Sequence, residues 1–435
     1  MFRNLSQKDE VIRSNISKYA IAHLIGKFPG LTVTFIYREI MALQKMGLKI
    51  DTFSIWRPDP DQVSSEAMGF IDTTFYIFPL KWLKFVRVHF YFLVTRPVRY
   101  IKTFFFVLTR PGMRISHRRR TFFHFLYAIY MAAEVERRGL QHIHAHFALN
   151  AATAALVISR LLGITYSITA HANDIFDDPV LLKEKLENAK FVITISEYNH
   201  HYLQGIATTS NIHIVNYGLD LSQFQPLTKR TNSELPIILA VGRLVEKKGY
   251  PDLIQACRIL VERGYRFKCK IVGDGPQKDL LQRLIAEANL DEVVTLEGLV
   301  LQEHLVHYWK QATIFALPCV VAQDGDRDGM PNVLIEAMAL QIPVVSTSLV
   351  GIPEFVGHGH SGFLAPPGDT SALADVISEL LDDETLRVRM AYNARIAVEE
   401  YFDLDRNVSK LLGIYAQYGL IESVGTAHFQ EMVSP

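Results

Sequence analysis

One alternation, run through twice, bounds what this chain can fold into. YAIAHLIG (19–26) is a short apolar run; a Pro/Gly loop, KFPGLTVT, and an amphipathic stretch follow, then a second apolar run, LKIDTFSI (48–55). The order recurs from HIHAHF (142–147) into Asn150–Gly163, and again in ITYSITAHANDIF (164–176), FVITISEYNHHYL (191–203) and IHIVNYGLDLSQF (212–224). After a polar, Pro-bearing stretch, LDLSQFQPLTK, it restarts with PIILAVGRLVEKKGYPDLIQACRIL (236–260) and KCKIVGDGPQKDLLQRLIAEANL (268–290). VVTLEGLV (293–300), TIFALPC (313–319) and PVVST (343–347) read as further strands. Strands separated by helices form parallel sheets, because parallel neighbours need a crossover. The expected class is α/β, with two Rossmann-like, doubly wound domains whose ligands sit at the carboxyl ends of the strands. Their expected bounds are 1–218 and 231–402, joined by a linker at 219–230. At 435 residues the chain exceeds one compact core.

Composition removes several classes. Formal net charge is zero, so no broad basic excess points to nucleic acid. Cys257, Cys269 and Cys319 make no CxxC pair and read as buried thiols in a reducing cytoplasm. The first residues, MFRNLSQKDEVIRSN, have no apolar core, so no signal peptide is expected. No uncharged apolar stretch is long enough for a membrane span.

The segment 73–133 stands apart, having no acidic residue. Lys81, Lys84 and Arg87, and again Arg96, Arg99 and Lys102, recur at threes and make a basic stripe on helices. Trp82, Phe85, Phe90, Tyr91, Phe104 and Phe105 fill the gaps. The reading is a helical hairpin inserted at 76–125. Either it meets an anionic membrane surface or a lipid-linked acceptor, or it packs on the sheet with a solvated basic face. An in-plane interfacial helix needs such a stripe beside an aromatic face. Anionic lipid would contribute roughly 1 kcal/mol per nearby Lys or Arg.

The stretch DGDRDGMPNVLIEAMALQIPVVS (324–346) carries the chemistry. An Asp/Gly-rich loop leads through Pro331, suited to a first helical turn, into a helix with Val333, Leu334, Ala337 and Met338 on a buried stripe. Free N–H groups at a helix start favour phosphate. Asp328 lies before that start and Glu336 beyond it, where a carboxylate can take hydrogen bonds from a diol such as a ribose.

This acid–x7–acid spacing before EAMA resembles the signature of the family 4 retaining glycosyltransferases, of GT-B fold. The subgroup it resembles builds bacterial exopolysaccharides of the colanic-acid type. The resemblance implies that Glu336 holds ribose, while Asp328, Gly329, Met330, Pro331 and Asn332 line the pocket of the transferred sugar. The first acid is usually Glu, so Asp328 is one methylene short. GRLVEKKG matches the family's GRLxxxKG loop, so Arg243 and Lys248 would clamp the donor diphosphate. Gly273, Asp274, Gly298 and Val300 match loops that flank the base. TAHANDI puts His171 near the transferred sugar and its phosphate, though a structural histidine is the plain alternative. KFPGLTVT looks like the family's FPxxSETF loop with Val33 where Glu is usual; an ordinary β–α turn fits as well. Residues 403–420 look like the last helix of the fold, which crosses back to the first domain, and 421–435 would be a tail.

HIHAH sets imidazoles of His144 and His146 on one strand face, and zinc accepts such ligands. No third ligand follows at close spacing, and the DxD spellings at Asp324, Asp326 and Asp328 arise in any Asp-rich loop. No metal or other cofactor is therefore expected. The overall expectation is a cytoplasmic enzyme, peripheral on the inner membrane face. It would move a sugar, with retention, from a UDP- or GDP-linked donor to a lipid-linked or saccharide acceptor. A non-catalytic membrane-associated scaffold of the same fold, or a nucleotide-sugar epimerase, stays open.

Overall fold

A computed structural model of the chain describes residues 20–30, 33–60, 63–171, 173–176, 179–208, 211–227, 234–301 and 304–422. The lead-in 1–18, Thr32, the end of the expected linker at 228–230 and the tail from 423 lie outside the described residues. The chain divides into two compact units, one of residues 1–195, 200–218 and 405–435, the other of 196–199 and 219–404.

The first unit holds seven parallel strands in the order β3-β2-β1-β4-β5-β6-β7. They are β1 (Ala20–Lys27), β2 (Lys49–Trp56), β3 (Phe75–Tyr76), β4 (His142–His146), β5 (Thr165–Ala170), β6 (Val192–Thr194) and β7 (Ile212–Ile214). Strand order reverses between β1 and β4, the switch point where doubly wound sheets take ligands. The helix Asn150–Leu162 buries Ala151, Ala152, Ala154 and Ala155, residues small enough to let it lie close to the sheet. It ends at Gly163, whose left-handed φ of 81° is the usual helix stop. Its Leu156, Ile158 and Leu161 are fully buried, each contributing about 1.5–3 kcal/mol.

The basic insert forms three helices rather than a hairpin: Trp82–Thr95, Pro97–Leu108 and Ile115–Arg137. Pro97 starts the second, where its missing N–H is no loss. The third runs past the expected end of the insert at 125 because its polar first half leads into a core half, with Phe125, Ala128, Ile129 and Met131 buried. His89 staples all three, its ring nitrogens meeting Tyr100 Oη at 2.8 Å and Leu126 O at 3.1 Å. The last helix, Leu404–Gln417, also belongs to the first unit, with Tyr415 fully buried against the rings of His144 and Phe191.

The second unit has six parallel strands in the order β10-β9-β8-β11-β12-β13. They are β8 (Ile237–Val241), β9 (Lys268–Val272), β10 (Val294–Gly298), β11 (Ile314–Leu317), β12 (Val344–Thr347) and β13 (Phe363–Ala365). Its switch point is between β8 and β11. The chain enters and leaves this unit side by side: Leu219 N donates to Phe402 O at 2.7 Å and Leu404 N to Leu219 O at 3.1 Å. Among the described residues no helix is long and apolar enough to cross a membrane.

Candidate functional site

The loops leaving β8 and β11 are tied together at the second switch point. Val320 N donates to Lys247 O at 3.0 Å, and Gln323 N to Glu246 Oε1 at 3.1 Å. The turn Glu246–Lys248 closes on Gly249, with φ of 68°; a Cβ there would stand 1.8 Å from Pro318 O, so no other residue fits. The turn delivers two lysines to the aspartates of the other loop. Lys248 Nζ lies 2.5 Å from Asp328 Oδ2, and Lys247 Nζ bridges Asp326 Oδ2 at 3.0 Å and Asp328 Oδ1 at 3.3 Å. Burial alone would raise the Asp328 pKa, but Lys248 and Lys247 outweigh it and hold the carboxyl below its usual range. Burial would likewise lower Lys248, and Asp328 more than offsets that. Burial, then Asp328, push the neighbouring Cys319 thiol up, so it stays protonated. The two DxD carboxylates nearest the helix are thus committed to lysines. Sequence reasoning named Lys248 and missed Lys247, whose signal was the doubled lysine before a turn glycine.

Arg243 follows β8 and is exposed; its carbonyl accepts from Val245 N at 2.9 Å, and its side chain makes no hydrogen bond or ion pair with a described residue. Beside it Gly273, with φ of 151°, receives the loop so closely that a Cβ would stand 1.9 Å from Gly242 O. Gly273 N donates to Gly298 O at 2.8 Å, and Leu244 N to Asp274 O at 2.9 Å. The ends of β8, β9 and β10 therefore form one rim, with Asp274 exposed and Val300 half-buried on it. Pro331 is the residue before the helix rather than its first turn, and the helix is Asn332–Ala339. Leu334, Ala337 and Met338 are fully buried as expected; Val333 is half-buried. Gly329, Met330 and Glu336 are buried at the helix start, and Gly351 N holds Gly329 O at 3.2 Å.

The first unit's switch point is built of imidazoles. Parallel register sets His142, His144 and His146 of β4 opposite Thr165, Ser167 and Thr169 of β5. His144 meets Ser167 Oγ and Thr169 Oγ1, each at 2.8 Å, and His142 meets Thr165 Oγ1 and Ser167 Oγ, also at 2.8 Å. Burial depresses the His144 pKa to about 3. His171, at the end of β5, is buried with Nδ1 2.9 Å from Tyr217 Oη; burial, then His144, take its pKa to about 3. It is a neutral hydrogen-bonding group at pH 7. The third metal-type ligand that the sequence lacked is supplied by the fold. His23 Nδ1 lies 3.0 Å from His146 Nε2, and with Glu39 these groups offer ligating atoms within 4.8 Å of one another. Burial raises Glu39 to about 8, so it too is neutral. Nothing in the sequence spacing of 23, 39 and 146 signals that meeting.

The basic stripe divides. Arg96 pairs with Glu136 at 2.6 Å, and Arg96 and Arg99 donate to Leu162 O at 3.1 and 2.9 Å, closing the carboxyl end of the Asn150–Leu162 helix. Lys84 sits over the rings of Phe75 and Tyr130. Lys81, Arg87 and Lys102 are exposed. Among the described residues, thirteen of the twenty-eight exposed large apolar side chains fall in the same segment, between Trp82 and Phe123. A patch that dense marks an interaction surface.

Comparison with known proteins fixes the family. The group 1 glycosyl transferase family model matches residues 223–397. An amylovoran biosynthesis glycosyltransferase of Erwinia amylovora is 38% identical over 216 residues, 49% of this chain and 53% of that protein. The chain thus spans about half the length of that relative. A putative teichuronic acid biosynthesis glycosyltransferase of Bacillus subtilis is 31% identical over 288 residues, 62% of this chain and 68% of that protein. The sucrose-phosphate synthase of Thermosynechococcus elongatus superposes with a TM-score of 0.68 over 92% of this chain and 98% of its own, at 20% identity, a likeness of fold. The chain belongs to the group 1 glycosyl transferases, and its two doubly wound sheets have the GT-B fold.

Proposed function

We propose that the chain is a retaining glycosyltransferase of bacterial surface polysaccharide synthesis. It takes a sugar from a UDP- or GDP-linked donor and passes it to a lipid-linked or saccharide acceptor. The observation that carries this is the Lys247–Lys248–Asp326–Asp328 cluster beneath exposed Arg243 at the second switch point. The amylovoran and teichuronic names of its relatives point to the same chemistry.

The donor diphosphate meets Arg243, Lys248 and the backbone N–H groups of Gly329 and Met330; Pro331 has none to offer. Negative charge grows on the leaving phosphate as the glycosidic bond breaks, and these groups stabilise it. Lys248 exchanges Asp328 for phosphate and stays paired throughout. Asp328 is then free to accept a hydroxyl of the transferred sugar. Glu336 takes the ribose hydroxyls, and the rim of Gly273, Asp274, Gly298 and Val300 borders the base, with Asn332 at the helix start. His171 contributes a neutral hydrogen bond. The acceptor attacks the oxocarbenium-like sugar from the face the diphosphate leaves. The nucleotide-sugar is a co-substrate, and this reading needs no metal.

The insert holds the enzyme on the inner face of the membrane, with Lys81, Arg87 and Lys102 toward anionic headgroups. Changing these three together to Glu should abolish co-sedimentation with anionic vesicles; unchanged co-sedimentation removes the membrane role. The donor reading is tested by thermal unfolding with UDP, GDP and ADP, each with EDTA. A nucleotide at one hundred times its Kd stabilises by about 2.7 kcal/mol. A shift with one of them names the base; no shift with any of them, with or without added Mg²⁺, overturns the assignment.

A further inference from the structure

Two of the imidazoles at the first unit's switch point differ from their neighbours. His142 and His144 have both ring nitrogens bonded to hydroxyls of β5. His23 and His146 are buried and face one another instead, Nδ1 to Nε2 at 3.0 Å. Two neutral imidazoles that meet in this way are joined by a single proton. An ion between them can take both lone pairs in its place.

Glu39 supplies a third atom from the helix Thr34–Lys45. Its Oε1 is buried, has no hydrogen-bond partner among the described residues, and stands 3.9 Å from His146 Nε2. All three ligating atoms lie within 4.8 Å of one another. A tetrahedral zinc ion has bonds of about 2.0–2.2 Å to imidazole nitrogen and carboxylate oxygen, which sets its ligand atoms about 3.4 Å apart. The separations of 3.0 and 3.9 Å fall on either side of that value, so small side-chain movements seat the ion. Two imidazoles and a carboxylate suit zinc better than magnesium or calcium, which take oxygen ligands. The Glu39 side chain is 24% exposed, which gives an ion a way in.

We propose that His23 Nδ1, His146 Nε2 and Glu39 Oε1 form a zinc site in the first unit, outside the donor site. The ion joins β1, β4 and the helix Thr34–Lys45, so it fixes that helix to the sheet at the switch point. Glu39 gives up its proton on coordination, as a carboxylate ligand must. Three protein ligands leave the fourth position to water. Tyr415 Oη is also buried without a hydrogen-bond partner, and burial, then Glu39, push its phenol pKa up. That hydroxyl is the group such a water would meet. The site does not depend on the transferase reading.

The test uses the untagged full chain, stripped with EDTA and dialysed free of it. Zinc is titrated in by calorimetry in a non-chelating buffer. One equivalent is expected, and Glu39→Gln, which keeps the side chain's shape, should weaken it at least tenfold. His200→Ala with His201→Ala, which removes the adjacent histidines of another helix, should leave the affinity unchanged. Cobalt in place of zinc should give the visible bands of a tetrahedral ion without thiolate charge transfer, since the three cysteines lie in the second unit. No bound zinc, equal affinity after Glu39→Gln, loss of the site with His200 and His201, or a thiolate band would each overturn the assignment. Nucleotide takes no part in this titration, so the donor reading stands or falls separately.

Discussion

At the two points where strand order reverses, the chain uses buried polar side chains in opposite ways. Between β1 and β4, burial has stripped the charge from His23, His144, His146 and Glu39. Between β8 and β11, Lys247 and Lys248 keep Asp328 charged against the same burial. A neutral set joined by hydroxyls is a frame: it holds strands in register and has little attraction for an anion. A set of ion pairs is exchangeable, because an incoming diphosphate can replace a carboxylate without leaving a lysine unpaired. The position in the fold is the same, and the charge state decides which point suits a nucleotide diphosphate.

Acid should separate the two most strongly. The folded pKa values of His144 and His171, about 3, lie below the ordinary 6.5. The unfolded chain therefore binds protons that the folded one refuses, and stability falls as pH drops from 6.5 toward 3. Together such groups should cost several kcal/mol of stability by pH 4. Asp328, depressed from 3.8, keeps its contribution until the pH passes below that value. Hydrogen exchange followed between pH 7 and 4 should show β4 and β5 losing protection first. Simultaneous loss in β8 and β11 would break the contrast.

Asp328→Ala comes next, because it strands the largely buried Lys248 and leaves Lys247 with Asp326 alone. Removing one partner of such a pair costs about 3–5 kcal/mol, measured by urea unfolding. A loss below about 1 kcal/mol would mean that water reaches the cluster and that it is not the dry, exchangeable set described. Smaller in free energy, and sharper, is the pair Lys248→Ala and Arg243→Ala. Each should lower turnover by about 10²–10³-fold, the scale for a lost charge-stabilising donor. Arg243→Ala should leave stability within about 0.5 kcal/mol, being exposed. Unchanged turnover in either would remove that residue from the clamp.

The doubly wound class was legible because β1, β2, β4, β5, β8, β9 and β11 are each short apolar runs set between loops and helices. Arg243, Lys248, Asp328 and Glu336 were legible because they lie in contiguous motifs. What stayed hidden depends on pairing between distant segments. His23 reaches His146 through the β1–β4 neighbourhood, and Lys247 reaches Asp326 only once two loops are hydrogen-bonded. One trace was readable in principle: His142, His144 and His146 alternate with period two, as do Thr165, Ser167 and Thr169. Two such strands side by side make the imidazole–hydroxyl ladder. The third insert helix was missed because its arginine-rich start and apolar end share no single period.

The side-by-side crossing at Leu219 and Leu404 sets an order on synthesis. Apart from residues 196–199, the second unit is one stretch, 219–404, between the crossings, whereas the first is interrupted by it. A ribosome therefore completes all of residues 219–404 before it makes the helix that carries Tyr415. Until then the face of His144 and Phe191 that Tyr415 covers is bare. The nascent first unit waits with an open flank while the whole second unit is made, and a stop codon placed anywhere before 415 leaves it so.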